Sequence, residues 1–150
     1  MKSGRDSAAA IVYNDSIYIF GGYDYNTRKE LKTTEIIHKD GMSTSSTDLP
    51  MTLLSFAITL VNDTVSIITG GGNNATRASK LSWYFNHVTQ EFSKGPDLLI
   101  PRRSHASGTL IDGGTNEKIP VVAGGMDYGI TVNSTEFLLS EKWTKGEYKI

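Results

Sequence analysis

The sequence predicts an all-β fold made of three copies of one four-stranded antiparallel unit. Ser7, Ala9 and Asp15 recur 48 residues later and again 49 residues after that. Short runs rich in Val, Ile, Tyr and Phe alternate with Asn, Asp and Gly, a pattern typical of strands joined by tight turns, and no helical period is present. A glycine doublet follows each copy of the repeat, at Gly21 and Gly22, Gly70 and Gly71, and Gly124 and Gly125.

The first two strands of each unit are predicted as a hairpin that ends in the glycine doublet. In the first unit, strands over 8–13 and 16–20 are joined by Asn14 and Asp15, residues that tolerate the left-handed conformations of tight turns. The third hairpin has a longer turn, because the polar stretch 113–118 follows Asp112. The corresponding strands are predicted over 56–61 and 64–69, and over 106–111 and 118–123.

A third strand follows each doublet after a polar loop, and a weaker fourth strand completes the unit. Glu35 and Glu136 occupy equivalent sites in their third strands, which favours a structural hydrogen-bonding or ion-pairing role over an acid/base pair. The third strands are predicted over 33–38, 81–85 and 134–139, and the fourth over 42–46, 91–94 and 142–144. These strands divide the chain into units over about 5–50, 53–101 and 102–150.

A period of about 50 residues with four antiparallel strands and a closing glycine doublet resembles the kelch repeat family. The resemblance covers roughly residues 5–145 and implies three blades of a kelch-type β-propeller, half of a six-bladed ring. Only Trp143 keeps the tryptophan that is usual in the fourth strand of a kelch blade. The passage from one blade to the next is carried by Trp83, Tyr84, Phe85, Phe92, Gly95, Pro96, Leu98 and the run 101–106.

The glycine doublets are interpreted as structural. Glycine permits positive φ and lets one backbone approach another closely, as neighbouring blades require. No helix start and no lysine follow at the spacing of a phosphate-binding loop, so nucleotide binding is not expected.

Three blades do not close a propeller, since rings of this kind need at least four. Two apolar blade faces would then meet solvent, which soluble monomers rarely tolerate. We therefore expect either that the chain is a piece of a longer propeller or that two chains form a homodimer.

Composition excludes several partner classes. With 15 Lys and Arg against 16 Asp and Glu, the charge gives no argument for nucleic acid. No apolar run reaches the roughly 20 residues of a membrane-spanning helix.

The absence of cysteine favours a cytoplasmic location. Four N-glycosylation triplets leave an extracellular location open; they begin at Asn14, Asn62, Asn74 and Asn133.

No catalytic residue, metal site or cofactor is predicted, and the chain is not expected to be an enzyme. His38, His87 and His105 lie in different parts of different units without metal-ligand spacing. Ser104 and His105 are strand neighbours that point to opposite faces, so they are poorly placed as nucleophile and base. Two alternatives stay open, a carbohydrate-acting or galactose-oxidase-like propeller and a truncated chain without independent function. Without cysteine, the cysteine-crosslinked copper cofactor of galactose oxidase cannot form.

The expected function is recognition of another protein. The kelch resemblance implies a ligand face built from residues just after each doublet and just before each first strand, and in this family such domains often serve ubiquitin-ligase substrate adaptors. Tyrosine and arginine concentrate binding energy in protein interfaces. The implied face comprises Arg5, Asp6, Tyr23, Asp24, Tyr25, Asn73, Asn74, Arg102, Arg103, Ser104, Met126, Asp127 and Tyr128.

Overall fold

The computed structural model describes residues 1–146. The regular secondary structure in this range consists of β-strands, with no helix. The last part of the predicted third unit, 147–150, lies outside the described residues. The described residues contain no helix that is long and apolar enough to cross a membrane.

Twelve strands form three four-stranded antiparallel sheets. Sheet 1 contains β1 (Ala9–Tyr13), β2 (Ser16–Phe20), β5 (Thr34–Ile37) and β6 (Ser43–Ser46). Sheet 2 contains β7 (Ala57–Leu60), β8 (Val65–Thr69), β9 (Ser82–Asn86) and β10 (Glu91–Lys94). Sheet 3 contains β11 (Ala106–Ile111), β12 (Lys118–Ala123), β15 (Thr135–Leu139) and β16 (Lys142–Lys145). All twelve strands were predicted from the sequence and are confirmed to within two residues at each end.

Two short antiparallel ribbons were not predicted. Ribbon A consists of β3 (Tyr23–Asp24) and β4 (Lys29–Glu30), and ribbon B of β13 (Met126–Asp127) and β14 (Ile130–Thr131). Both segments were predicted to be polar loops, and that prediction was wrong. Two-residue strands are too short to show the alternation of apolar and polar residues by which a strand is recognised.

Each sheet has two distinct ends. Its two hairpin turns lie at one end, which we call the turn end. The glycine doublet, the ribbon or loop that follows it and the links between sheets lie at the other, which we call the doublet end. This separation follows from the antiparallel order of the four strands, because the first and third strands run toward the hairpin turns.

The core consists of two apolar clusters, each shared between sheet 2 and one neighbouring sheet. The first joins Tyr18 and Phe20 of sheet 1 to Ile68 of sheet 2. The second joins Ile67 of sheet 2 to Val122 of sheet 3. Neighbouring residues in a strand point to opposite faces, so Ile67 and Ile68 serve different clusters.

Three serines connect the sheets at the start of their first strands. Ser7, Ser55 and Ser104 adopt φ values of 54°, 53° and 53°. The Ser55 N–H donates to the Ser7 carbonyl at 2.9 Å, and the Ser104 N–H donates to the Ser55 carbonyl at 2.7 Å. One backbone hydrogen bond therefore links each sheet to the next at an equivalent position.

The first two glycine doublets lie where neighbouring sheets approach most closely. A Cβ at Gly21 would stand 2.7 Å from the Leu53 carbonyl oxygen, and a Cβ at Gly70 would stand 2.4 Å from that of Arg102. The positive φ values of both glycines, 55° and 62°, also disfavour any side chain. These close approaches at the first two doublets agree with the structural role that was predicted for the glycines.

A candidate binding surface at the doublet end

Backbone pairing brings the predicted site segments together at the doublet end. In each sheet, the residue before the positive-φ serine pairs with the residue after the glycine doublet, as Asp6 with Tyr23, Leu54 with Gly72 and Arg103 with Met126. Ribbon A also contacts the loop of sheet 2, since a Glu30 carboxylate oxygen accepts from the Asn74 N–H at 2.5 Å. The surface is thus formed by segments of all three sheets.

Arg102 is a buried structural residue rather than an exposed contact. Its side chain and that of Glu136 are 0% exposed, and Arg102 Nη2 lies 2.7 Å from Glu136 Oε1. Its guanidinium also donates to the carbonyls of Gly124 at 2.8 Å and Ser134 at 3.0 Å. Glu136 additionally accepts from the Leu99 N–H at 2.7 Å. The guanidinium therefore holds the third doublet against the start of β15.

Sheet 1 contains the same arrangement around Arg5. This guanidinium donates to the carbonyls of Gly21 at 2.8 Å and Thr33 at 2.9 Å, and it lies 3.4 Å from Glu35 Oε2. Burial acts to raise the pKa of Glu35. Hydrogen bonds from the Lys2 N–H and from Ser43, together with nearby positive charges, outweigh burial and hold that pKa below its usual range. The two glutamates were predicted to have a structural hydrogen-bonding or ion-pairing role, and both kinds of contact are present.

Sheet 2 replaces this ion pair with apolar residues. Leu53 occupies the position of Arg5 and Arg102, and Trp83 occupies that of Glu35 and Glu136. Both side chains belong to or pack against the first apolar cluster. The same backbone position thus accepts either a charged or an apolar pair, provided that both members change together.

Two further predicted residues, Asp24 and Asn73, shape the loops at this end, and Asp127 occupies the equivalent position in sheet 3. The Asp24 carboxylate accepts from the Thr27 hydroxyl and from the Asn26 N–H, both at 2.9 Å, and the Thr27 bond contributes most to holding the Asp24 pKa below its usual range. Asn73 accepts from the Thr76 N–H at 2.8 Å. Asp127 stands at the equivalent position after the third doublet, is half-buried, and its Oδ1 has no hydrogen-bond partner among residues 1–146.

The exposed part of the surface is largely aromatic and apolar. Tyr25 is 70% exposed and meets Tyr23 edge-on at 4.9 Å between ring centroids. Tyr128 is 65% exposed and has a φ of 47°, which is unusual for a bulky residue. Ile130 of ribbon B is 73% exposed and was missed by the sequence analysis, which treated its segment as loop. Ribbons A and B therefore present three large side chains to solvent.

Arg103 supplies positive charge to this surface. Its backbone is fixed by two hydrogen bonds with Met126, at 3.1 and 3.0 Å. Its guanidinium has no hydrogen-bond or ion-pair partner within the described part of the chain, unlike that of Arg102 next to it. Asp6, Asn74 and Ser104 are also exposed at this end.

The histidines are held by hydroxyls inside the fold. The His87 ring stacks on Tyr13 at 4.4 Å and lies 2.7 Å from Ser66 Oγ, and burial lowers its pKa to about 4. His105 lies 3.0 Å from Thr69 Oγ1, and burial with the Arg102 charge lowers its pKa to about 4. Ser104 is exposed while His105 is buried. Residues 1–146 contain no cluster of three His, Cys, Asp or Glu able to hold a metal.

A groove of about 760 Å³ lies at the turn end, between sheets 2 and 3. Its lining includes Tyr84, Leu138 and the exposed ion pair of Lys118 with Asp63. The hydrogen bond from Lys118 is the main reason that the pKa of Asp63 lies below its usual range. No predicted site residue lines this groove, which is at the opposite end of the strands from the candidate surface.

Comparisons with known proteins identify no relative. No protein-family model matches the chain, and no curated protein is significantly similar to it.

Proposed function

We propose that this chain is a segment of a kelch-type propeller that recognises a protein partner through its doublet end. The observation that carries the proposal is the exposure of Tyr25, Tyr128 and Ile130 on two ribbons whose backbones are hydrogen-bonded to the segments before the first strands. The backbones of both ribbons are fixed by hydrogen bonds, so they lose little conformational freedom when a partner docks. The role proposed is binding rather than catalysis.

Backbone strain at Tyr128 supports this role. Tyr128 and Gly129 form the two-residue turn of ribbon B, with φ values of 47° and 86°. Asn-Gly is the favoured sequence for such a turn, and tyrosine costs stability there. Strained residues cluster at ligand-binding sites, where the side chain has a use that compensates for its conformation.

The chemistry of the surface defines the partner. Arg103 supplies an unpaired guanidinium near the exposed side chains of ribbon B, since its backbone pairs with Met126 of that ribbon. Guanidinium groups favour carboxylates, and exposed tyrosines favour apolar or aromatic contacts. The partner is therefore a protein segment that combines an apolar anchor with a carboxylate.

The wider proposal follows the kelch resemblance. Each sheet corresponds to one blade, and three blades to half of a six-bladed ring. The contacts of the first two glycine doublets with the following sheet support this correspondence. In that setting the chain is the recognition part of a substrate adaptor for a ubiquitin ligase in the cytoplasm.

The proposal is tested by affinity capture of cell proteins followed by quantitative mass spectrometry. The test variant combines Tyr25→Ser, Tyr128→Asn and Arg103→Glu, all at the doublet end. The control combines Met42→Ser and Val88→Ser, which are similarly exposed, at 66% and 67%, but lie at the turn end. We expect specific partners to be lost with the test variant and kept with the control. Equal capture by both variants would remove the doublet end as the binding surface.

A further inference from the structure

The contact between sheets 1 and 2 is repeated between sheets 2 and 3. In the first contact, the Gly22 N–H donates to the Leu53 carbonyl at 3.0 Å. In the second, the Gly71 N–H donates to the Arg102 carbonyl at 2.9 Å. Each contact also contains one serine hydrogen bond, as described above. These two backbone hydrogen bonds therefore recur at both junctions between successive sheets.

On sheet 3 the same groups meet no partner among residues 1–146. Neither an acceptor for the Gly125 N–H nor a donor for the Ser104 carbonyl is found within residues 1–146. A Cβ at Gly124 would find no atom closer than 3.8 Å, whereas Gly21 and Gly70 have no space for one. Gly124 and Gly125 are half-buried, while the other two doublets are fully buried. The outer side of sheet 3 is thus a junction surface without its second half.

Sheet 1 carries the missing half. Arg5 is the equivalent of Leu53 and Arg102, and no donor within the described chain reaches its carbonyl. The Ser7 N–H, equivalent to those of Ser55 and Ser104, bonds only locally, to Asp6 Oδ1 at 2.6 Å. The two ends of the described fold therefore offer donors and acceptors that match each other.

The apolar residues of these two faces are also complementary. Val12 is 64% exposed on the outer face of sheet 1, while its equivalents Leu60 and Thr109 are half-buried, and Thr109 contacts sheet 2. Ile17, on the same face, is 44% exposed. Leu110 is exposed on the outer face of sheet 3. Docking these faces would remove from water apolar surface that the other junctions bury.

We propose that sheet 3 of one chain docks against sheet 1 of a second copy, and that the reciprocal contact closes two chains into a ring of six sheets. The Gly125 N–H then donates to the partner's Arg5 carbonyl, and the Ser104 carbonyl accepts from the partner's Ser7 N–H. Both surfaces occur on every chain, so two copies can satisfy each other completely. The junction uses the backbone of Arg5 and Ser104 on the outer sides of sheets 1 and 3, whereas the proposed recognition depends on the exposed side chains of the ribbons and of Arg103. The two proposals are therefore tested by different variants.

The first test measures mass in solution by sedimentation equilibrium. The wild-type chain should have twice the mass of one 16.4 kDa chain. Gly124→Asn should weaken association roughly tenfold or more, because its Cβ would meet the partner's Arg5 carbonyl, while asparagine tolerates positive φ within the chain. Gly129→Asn is the matched control, since Gly129 also has positive φ and open space but lies off the junction. A monomeric wild type, or equal association of both variants, would overturn the inference.

A second pair of variants tests the other face. Val12→Lys should weaken association, whereas Val88→Lys, at an almost equally exposed site in the β9–β10 turn, should not. Circular dichroism of both variants establishes that each is folded. Masses beyond the dimer would indicate an open series of chains and would contradict the closed ring.

Covalent trapping identifies the contact directly. The natural chain has no cysteine, so Ser7→Cys with Ser104→Cys introduces the only two thiols. Oxidation should yield a cross-linked dimer from the double variant, because the partner's Ser7 then lies beside Ser104 as Ser55 lies beside Ser7. Either single variant should remain uncrosslinked. Failure of the double variant to cross-link at a concentration where the mass is that of a dimer would refute the proposed arrangement.

Discussion

Removal of the Arg102 guanidinium should strongly destabilise the fold. In Arg102→Leu, the carbonyls of Gly124 and Ser134 lose a buried donor, and Glu136 loses its only ion-pair partner among the described residues. Breaking a buried ion pair from one side costs about 3–5 kcal/mol. Glu136 keeps its bond from the Leu99 N–H, so we expect a loss of about 3 kcal/mol, near the lower end of that range.

Replacing Glu136 as well shows whether the loss of stability in Arg102→Leu comes from the buried carboxylate that is left unpaired. Arg102→Leu combined with Glu136→Leu removes both charges, and we expect it to recover at least about 1 kcal/mol relative to Arg102→Leu alone. Sheet 2 provides the precedent, because Leu53 and Trp83 occupy the same two positions there. Arg103→Leu is the matched control, which should stay within about 0.5 kcal/mol of the natural chain because Arg103 is unpaired in the described structure.

Urea unfolding followed by tryptophan fluorescence measures these free energies. Trp143 is buried in the cluster between sheets 2 and 3, so its fluorescence reports the unfolding of this cluster. All variants must be compared at one protein concentration, since association shifts apparent stability. A loss below about 1 kcal/mol in Arg102→Leu, or a double variant no more stable than that single one, would refute the structural role assigned to Arg102.

Three further predictions concern single positions. Gly70→Ala should lower the free energy of unfolding by about 2 kcal/mol or more, measured by urea titration, because its Cβ would meet the Arg102 carbonyl; Gly41→Ala, with positive φ but open space, should cost only about 1 kcal/mol. Tyr128→Asn should raise the free energy of unfolding by up to about 1 kcal/mol, because asparagine suits the turn of ribbon B, and this should appear as a higher melting temperature in calorimetry. A lower melting temperature would contradict the strain assigned to Tyr128. The lowered pKa of His87, about 4, means that the unfolded chain binds a proton more readily, so stability is full above about pH 6.5 and falls as the pH drops toward 4. After allowance for solvent screening, His87→Phe should reduce that fall by about 1–2 kcal/mol in denaturation curves at the two pH limits, and an unchanged fall would contradict it.

The strands could be predicted because their signals are local. Alternating apolar residues and turn residues such as Asn14 and Asp15 determine the hairpins within a few positions of the chain. The glycine doublets were informative because a close backbone approach excludes every other side chain. Ribbons A and B gave no such signal, since their strands have only two residues each.

The candidate surface was predictable in position but not in the exposure of its members. Nothing near Arg102 in the sequence shows that it is buried, because its partner Glu136 lies 34 residues away. The signal that could have revealed it is the paired exchange in sheet 2, where leucine and tryptophan replace arginine and glutamate together. Ile130 was overlooked because a single apolar residue in a polar stretch does not indicate a strand.

Sheet 2 contributes to both apolar clusters, so the stability of the whole fold depends most on the middle of the chain. Local unfolding of sheet 1 or sheet 3 disrupts one cluster, whereas local unfolding of sheet 2 disrupts both. Amide protons of β8 should consequently be the slowest to exchange with deuterium, and protection should decline toward either flank. Damage to this central unit would separate its neighbours into two fragments, neither of which retains a cluster.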